Sequence, residues 1–125
     1  MRKPVGWSML AALAAALLVV PTVAAKDGDV RVAGTCSASS TSKLKLGRED
    51  AAVEVEFEVD QNRNGVRWRV VLLRNGVRVA GRTAVTRAPS GSFESRFLAA
   101  GPGGRFVARA LSPSGERCVA RASLA

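Results

Sequence analysis

Two stretches of this chain carry residue types at a spacing that can support chemistry. Glu54, Glu56 and Glu58 alternate along one run. Carboxylates on one face of an extended strand stand ~6–7 Å apart, which overlaps the separation of the acid and base in glycosidases. A general acid among them needs an apolar pocket to raise its pKa. These side chains instead alternate with Val53, Val55, Phe57 and Val59, the pattern of a half-buried strand whose charges stay in water. The second stretch, Asp60-Gln61-Asn62-Arg63-Asn64-Gly65, matches the first half of a calcium loop, with Asp60, Asn62 and Asn64 as metal-ligand candidates. Its twelfth position is Val71, where the pattern needs a bidentate Glu, and strand-like sequence flanks it. Asp, Asn and Gly serve a hairpin loop's own turns equally well. No metal or other cofactor is expected.

Nucleophilic chemistry is more sharply limited. The chain contains no histidine, which excludes Ser-His-Asp and Cys-His arrangements and histidine metal sites. Ser39, Ser40 and Ser42 lie near Lys43 and Lys45, but a lysine base must be desolvated and this stretch is polar. The expectation is a protein with no catalytic residues that is not an enzyme. Cys36 and Cys118 are the only cysteines. Two thiols without histidine make a poor zinc site, whereas an even count in an exported chain favours a disulfide. Closing a loop of about 80 residues restricts the unfolded chain by roughly 4 kcal/mol.

The export expectation comes from residues 1–25. Arg2 and Lys3 precede an apolar run from Met9 to Val20, then Pro21 and the small residues Val23-Ala24-Ala25. This is the form of a secretory signal peptide cleaved after Ala25, and the run is shorter than the roughly 20 residues a membrane span requires. No transmembrane segment is expected after processing, and the product is expected to be secreted. Residues 26–125 then form a single domain. Removing Arg2 and Lys3 lowers the formal net charge from +9 to +7, so an anionic envelope polymer or another protein is a fitting partner.

These side chains must be positioned by strands, because the rest of the sequence alternates with period two between turn residues. Eight strands are expected: Asp29 to Cys36, Lys43 to Arg48, Ala51 to Asp60, Val66 to Arg74, Val77 to Thr86, Ser92 to Ala99, Arg105 to Leu111 and Glu116 to Leu124. If Phe57 faces Trp68, then Glu58 faces Arg67 and Glu56 faces Arg69, giving a hairpin with matched charges outside. Asn75-Gly76 is a strong type I′ hairpin signal and would extend the pair to a three-stranded meander. The expected fold is all-β: an immunoglobulin-like two-sheet antiparallel β-sandwich of about seven to eight strands with one disulfide. The bridge would join the first and last strands inside it.

The chain resembles small secreted bacterial immunoglobulin-like β-sandwich proteins. The residues that carry the resemblance are Gly34-Thr35-Cys36-Ser37, Lys43-Leu44-Lys45-Leu46, the run Glu54 to Asp60 with Asn64-Gly65 and Trp68, Ser90-Gly91-Ser92-Phe93, and Ser114-Gly115-Glu116-Arg117-Cys118. The resemblance implies architecture rather than chemistry. It departs from antibody domains in having no tyrosine and therefore no tyrosine corner.

Two surfaces remain. The run Val70-Val71-Leu72-Leu73 is continuous, so Val71 and Leu73 point away from the core if Val70 and Leu72 point into it. With Arg67, Arg69 and Arg78 they form the expected binding surface, with Ala80 across the hairpin. Specific nucleic-acid recognition is not expected, because Phe57, Trp68, Phe93, Phe97 and Phe106 all fall on core phases and leave no stacking platform. The expected function is a secreted, non-catalytic binding or envelope-associated module. The alternative is a proteinaceous inhibitor of an extracellular enzyme, using the loop Arg87-Ala88-Pro89-Ser90.

Overall fold

Alternation decides which side of each strand is buried. In β4 (Ala52–Asp60), Val53, Val55, Phe57 and Val59 have no exposed surface, while the intervening glutamates keep partial access to solvent. The computed structural model describes residues 28–125, and the signal segment expected over residues 1–25 lies outside them. Besides β4, the described residues form β1 (Val30–Ala33), β2 (Thr35–Cys36), β3 (Thr41–Glu49), β5 (Arg67–Arg74), β6 (Val77–Val85), β7 (Ser92–Ala100), β8 (Gly104–Leu111) and β9 (Arg117–Leu124), with no helix. No helix among them is long and apolar enough to cross a membrane.

The strands make two antiparallel sheets, one ordered β1-β3-β4-β7 and the other β2-β9-β8-β5-β6. Between them lies one core. Leu44, Leu46 and the β4 residues come from the first sheet, and Trp68, Val70, Leu72, Phe106, Ala108 and Ala120 from the second. Burying each large side chain contributes roughly 1.5–3 kcal/mol, and all five aromatics expected on core phases are buried.

Two local arrangements differ from the sequence expectations. The segment expected as one strand from Asp29 to Cys36 is divided, which makes nine strands rather than eight. Gly34 is the pivot: its N–H donates to the Ser42 carbonyl at 2.9 Å, and a Cβ there would come within 2.7 Å of the Val119 carbonyl oxygen. Only glycine fits at this approach, so the chain passes from one sheet to the other.

The expected β4–β5 hairpin is absent, and with it the meander. β4 pairs with β3 and β7, and β5 pairs with β6 and β8. The glutamates therefore face Lys43, Lys45 and Arg96 rather than Arg67 and Arg69. Phe57 and Trp68 stand in opposite sheets, and the aromatic partner of Trp68 is Phe93, with centroids 6.0 Å apart. Residues 61–65 are a crossover between sheets, closed by Gly65 N–H donating to the Thr86 carbonyl at 2.7 Å. The hairpin at Asn75-Gly76 is as expected, with φ of 50° and 83° suited to a type I′ turn.

Cys36 and Cys118 form a disulfide. They are direct partners on neighbouring strands of one sheet, with Cα atoms 4.0 Å apart. The bridge thus ties the end of the segment expected as the first strand to the last strand, as expected, and does so within the five-stranded sheet.

Candidate binding surface

The two outer faces of the sandwich differ in charge. All ion pairs among the described residues lie on the four-stranded sheet or at its margin. Lys43 pairs with Glu58 at 3.5 Å, Lys45 with Glu56 at 3.7 Å and Asp29 at 3.8 Å, and Arg96 with Glu54, Glu56 and Glu94 at 3.5 Å each. The carboxylates that resembled a catalytic pair are thus held in an ion-pair ladder. Glu94 has its carboxyl raised above the ordinary value, first by burial and then by the charge of Glu56.

The five-stranded sheet contains no aspartate or glutamate in any strand. Its outward phase carries arginine and aliphatic residues in a checkerboard fixed by the strand register. Arg69 stands beside Leu111, and Leu111 beside Arg117. In the next row Val71 stands beside Arg109 and Arg109 beside Val119, and in the third Leu73 stands beside Val107 and Val107 beside Arg121. Arg67, Arg78 and Arg105 extend the array, which brings seven arginines to one face. None of the seven makes an ion pair among the described residues.

The five residues expected to form a binding surface, Arg67, Arg69, Val71, Leu73 and Arg78, all lie on this face. Arg78 is the direct partner of Leu73, and it lies over Gly81, where a Cβ would be 3.2 Å from its Cζ. Val71 and Leu73 are half-buried between the arginine stems, a common packing for long cationic side chains. Ala80 is not part of the face. It pairs with Leu72 and turns inward, because a bulge after Leu72 shifts the register. At the centre, Arg69, Val71, Arg109, Leu111, Arg117 and Val119 line a shallow depression of about 310 Å³.

Sequence reasoning missed the contribution of β8 and β9. Its signal was legible: Arg105 and Arg109, and likewise Arg117 and Arg121, share one phase opposite Phe106, Ala108, Cys118 and Ala120.

The remaining candidates serve the fold. Asp60 Oδ1 accepts a hydrogen bond from Asn62 N–H at 3.0 Å, which caps the turn within its own loop. Asn64 is exposed, and Asn62 adopts φ 59°. Ser40 and Ser42 are buried on the side away from Lys43 and Lys45, so neither forms a dyad with a lysine, and Ser39 is exposed. Ser40 instead donates through N–H and Oγ–H to the Glu116 carboxylate at 2.9 and 2.8 Å. Among the described residues the one cluster with metal-ligand atoms in reach is Cys36, Glu116 and Cys118, and its two sulfurs are bonded to each other.

No protein-family model matches this chain, and no curated protein matches it either.

Proposed function

We propose that this protein is a secreted, non-catalytic binding module whose arginine-rich sheet face attaches it to an anionic envelope polymer. One observation carries the reading: seven arginines share a face that has no carboxylate, while Glu54, Glu56, Glu58 and Glu94 of the other sheet are engaged in local ion pairs. Unpaired guanidinium groups need not break an ion pair to turn toward phosphate or carboxylate groups of a ligand, and their planar forks bind such groups bidentately. The aliphatic rows between them add contacts that salt does not screen. The cysteine bridge suits an oxidising compartment outside the cytoplasm.

The sandwich is read as a variant of the immunoglobulin-like architecture. The order β9-β8-β5-β6 corresponds to the G-F-C-C′ run of a variable-type sheet, whereas the adjacent β3–β4 hairpin departs from the A-B-E-D order.

The test is retention on a heparin matrix across a salt gradient. Retention is expected to fall steeply as salt rises, because binding releases counterions. Arg69→Glu with Arg109→Glu and Arg117→Glu is expected to abolish it, and Lys43→Glu with Lys45→Glu to leave it nearly unchanged. Equal losses from both faces, or no retention at low salt, overturn the reading.

The inhibitor alternative keeps one supporting observation. Arg87, Ala88, Pro89 and Ser90 are all exposed, on a turn held by Arg87 N–H to the Ser92 carbonyl at 2.9 Å and Gly91 N–H to the Arg87 carbonyl at 2.8 Å. Inhibition of extracellular proteases by the wild-type protein, lost on Arg87→Ala, is its test.

A further inference from the structure

β6 and β7 end their respective sheets on the same side of the sandwich. Each is nine residues long and has a strand on one flank only. A long open edge presents unpaired N–H and C=O groups, and proteins usually blunt such edges by shortness, charge or proline. Here the edges carry charge at Arg78, Arg82, Glu94 and Arg96, but also Val77, Val79 and Leu98, exposed at 64, 48 and 67%, three of the four large hydrophobic residues left exposed among the described residues.

The described residues do not fill the space between these edges. The inward positions of β6 are Ala80, Arg82 and Ala84, opposite Leu72, Val70 and Trp68. The two alanines are too short to reach β7, and depressions of about 620 and 380 Å³ remain along the seam. Arg82 lines both and lies over the Phe97 ring, 4.2 Å from its centroid. On the β7 side the wall includes Phe93, Ser95 and Phe97. Ser95 is 2% exposed, and its Oγ has no hydrogen-bond partner among the described residues. A buried hydroxyl left unpaired is costly, so a native structure keeps one where something else meets it.

We propose that this seam is a strand-acceptor site. An extended, aliphatic-bearing segment of a protein partner adds to the free edge of β7, with alternate side chains over Phe93 and Phe97 and a hydroxyl or amide side chain bonded to Ser95 Oγ. The unpaired backbone favours a peptide, since a run of strand hydrogen-bonding groups is matched by another strand. The alternation of Phe93, Ser95 and Phe97 sets its pattern: apolar, hydrogen-bonding, apolar at every second residue. Arg82 must leave the Phe97 ring as the segment enters. This site is separate from the arginine face and does not depend on it.

The probe is a synthetic strand peptide as long as β7, whose every second residue reads Val, Thr, Val on the face meant for Phe93, Ser95 and Phe97 and whose other positions are polar, N-methylated along one edge so that it pairs with a single strand. Arg87 already pairs with Ser92 at the start of this edge, so the peptide, titrated into isotope-labelled protein, is expected to shift amides of Glu94–Leu98 and slow hydrogen exchange at Glu94, Arg96 and Leu98, which alternate with the residues bonded to β4, while the same peptide methylated on both edges does neither. Ala84→Phe, which fills the seam from within, is expected to weaken binding at least about tenfold. Arg82→Ala is expected to strengthen it, which covers the case of Ala84→Phe failing to fold. Ser95→Val should leave the free domain at least as stable while weakening the peptide, a combination that a purely structural serine would not give. The Arg69→Glu, Arg109→Glu and Arg117→Glu variant should bind the peptide normally. Absent shifts in β7, equal binding of the doubly methylated peptide, or occupation of this edge by a second copy of the chain overturns the proposal.

Discussion

The indole Nε1 of Trp68 donates to the Gln61 side-chain oxygen at 3.1 Å, so the first residue after β4 is tied to the second residue of β5 across the passage between sheets. The ring itself is fully buried and tilts against Phe93. One side chain therefore both fills the core and fixes the crossover that replaces a hairpin.

Trp68→Ala is expected to cost roughly 3–5 kcal/mol, the range for deleting a buried aromatic. Gln61→Ala should cost about 1 kcal/mol, the worth of one hydrogen bond. Urea midpoints at unchanged slope would check both. A Trp68→Ala loss under about 1 kcal/mol would contradict the observed burial.

Glu116 and Ser40 give a second measurable effect. The carboxylate accepts two hydrogen bonds from one serine, at a site less than a tenth exposed. Glu116→Gln keeps an oxygen for the Ser40 N–H and can donate its amide to Ser40 Oγ, so it loses the charge that strengthens both bonds, and is expected to destabilise by about 1–2 kcal/mol. Ser40→Ala should cost less, because its N–H bond survives. Thermal denaturation of the two variants would rank them.

Glu94 predicts a pH dependence of unusual sign. Its folded-state pKa is raised, by burial first and by Glu56 next. Below the ordinary carboxylate value both folded and unfolded forms are protonated, and the group contributes nothing. As pH rises from that value through the raised one, the unfolded chain ionises more readily and the fold loses stability, a loss that persists above. Glu94→Gln should therefore match the wild type in acid and exceed it slightly at neutral pH. The side chain is 47% exposed, so solvent screening keeps the gain under about 1 kcal/mol. Stability curves for the two proteins that run parallel across this range would refute the assignment.

The bridge between Cys36 and Cys118 is expected to appear as a mass difference of two hydrogens between oxidised and reduced protein. Reduction should lower stability by roughly 2–4 kcal/mol. Two thiols open to alkylation in unreduced, denatured protein would contradict it.

The alternation in β4 reads correctly from sequence because burial of one strand face depends only on the local pattern. Pairing partners do not follow from it. Glu56 and Glu58 match Arg67 and Arg69 in charge as well as they match Lys45 and Lys43, and both β3 and β5 adjoin β4 in sequence, so charge does not choose between them. What decides against it is the 61–65 crossover, where Gly91 packs so closely on the Asn62–Arg63 backbone that a Cβ would fall 2.7 Å from the Asn62 carbonyl carbon. That contact joins loops about thirty residues apart, which alternation cannot encode. The division of the first strand at Gly34 was hidden for a similar reason, since the alternation continues through it unbroken. The binding face was half legible: Arg67, Arg69, Val71, Leu73 and Arg78 shared a hairpin, but their extension across β8 and β9 required the sheet order.

The placement of the bridge at the ends of the sandwich also determines how tension would pass through the molecule. Its two cysteines are 82 positions apart in sequence yet adjacent in space, near the two ends of the described chain. A pull applied at Gly28 and Leu124 would run along β1, Gly34 and β2, cross the sulfur–sulfur bond and leave along β9. β3 to β8 lie inside the covalent loop and outside that path. Stretching the oxidised protein should then peel β1 from β3 and β9 from β8 and stop at the bridge, while the reduced protein pays out its full length.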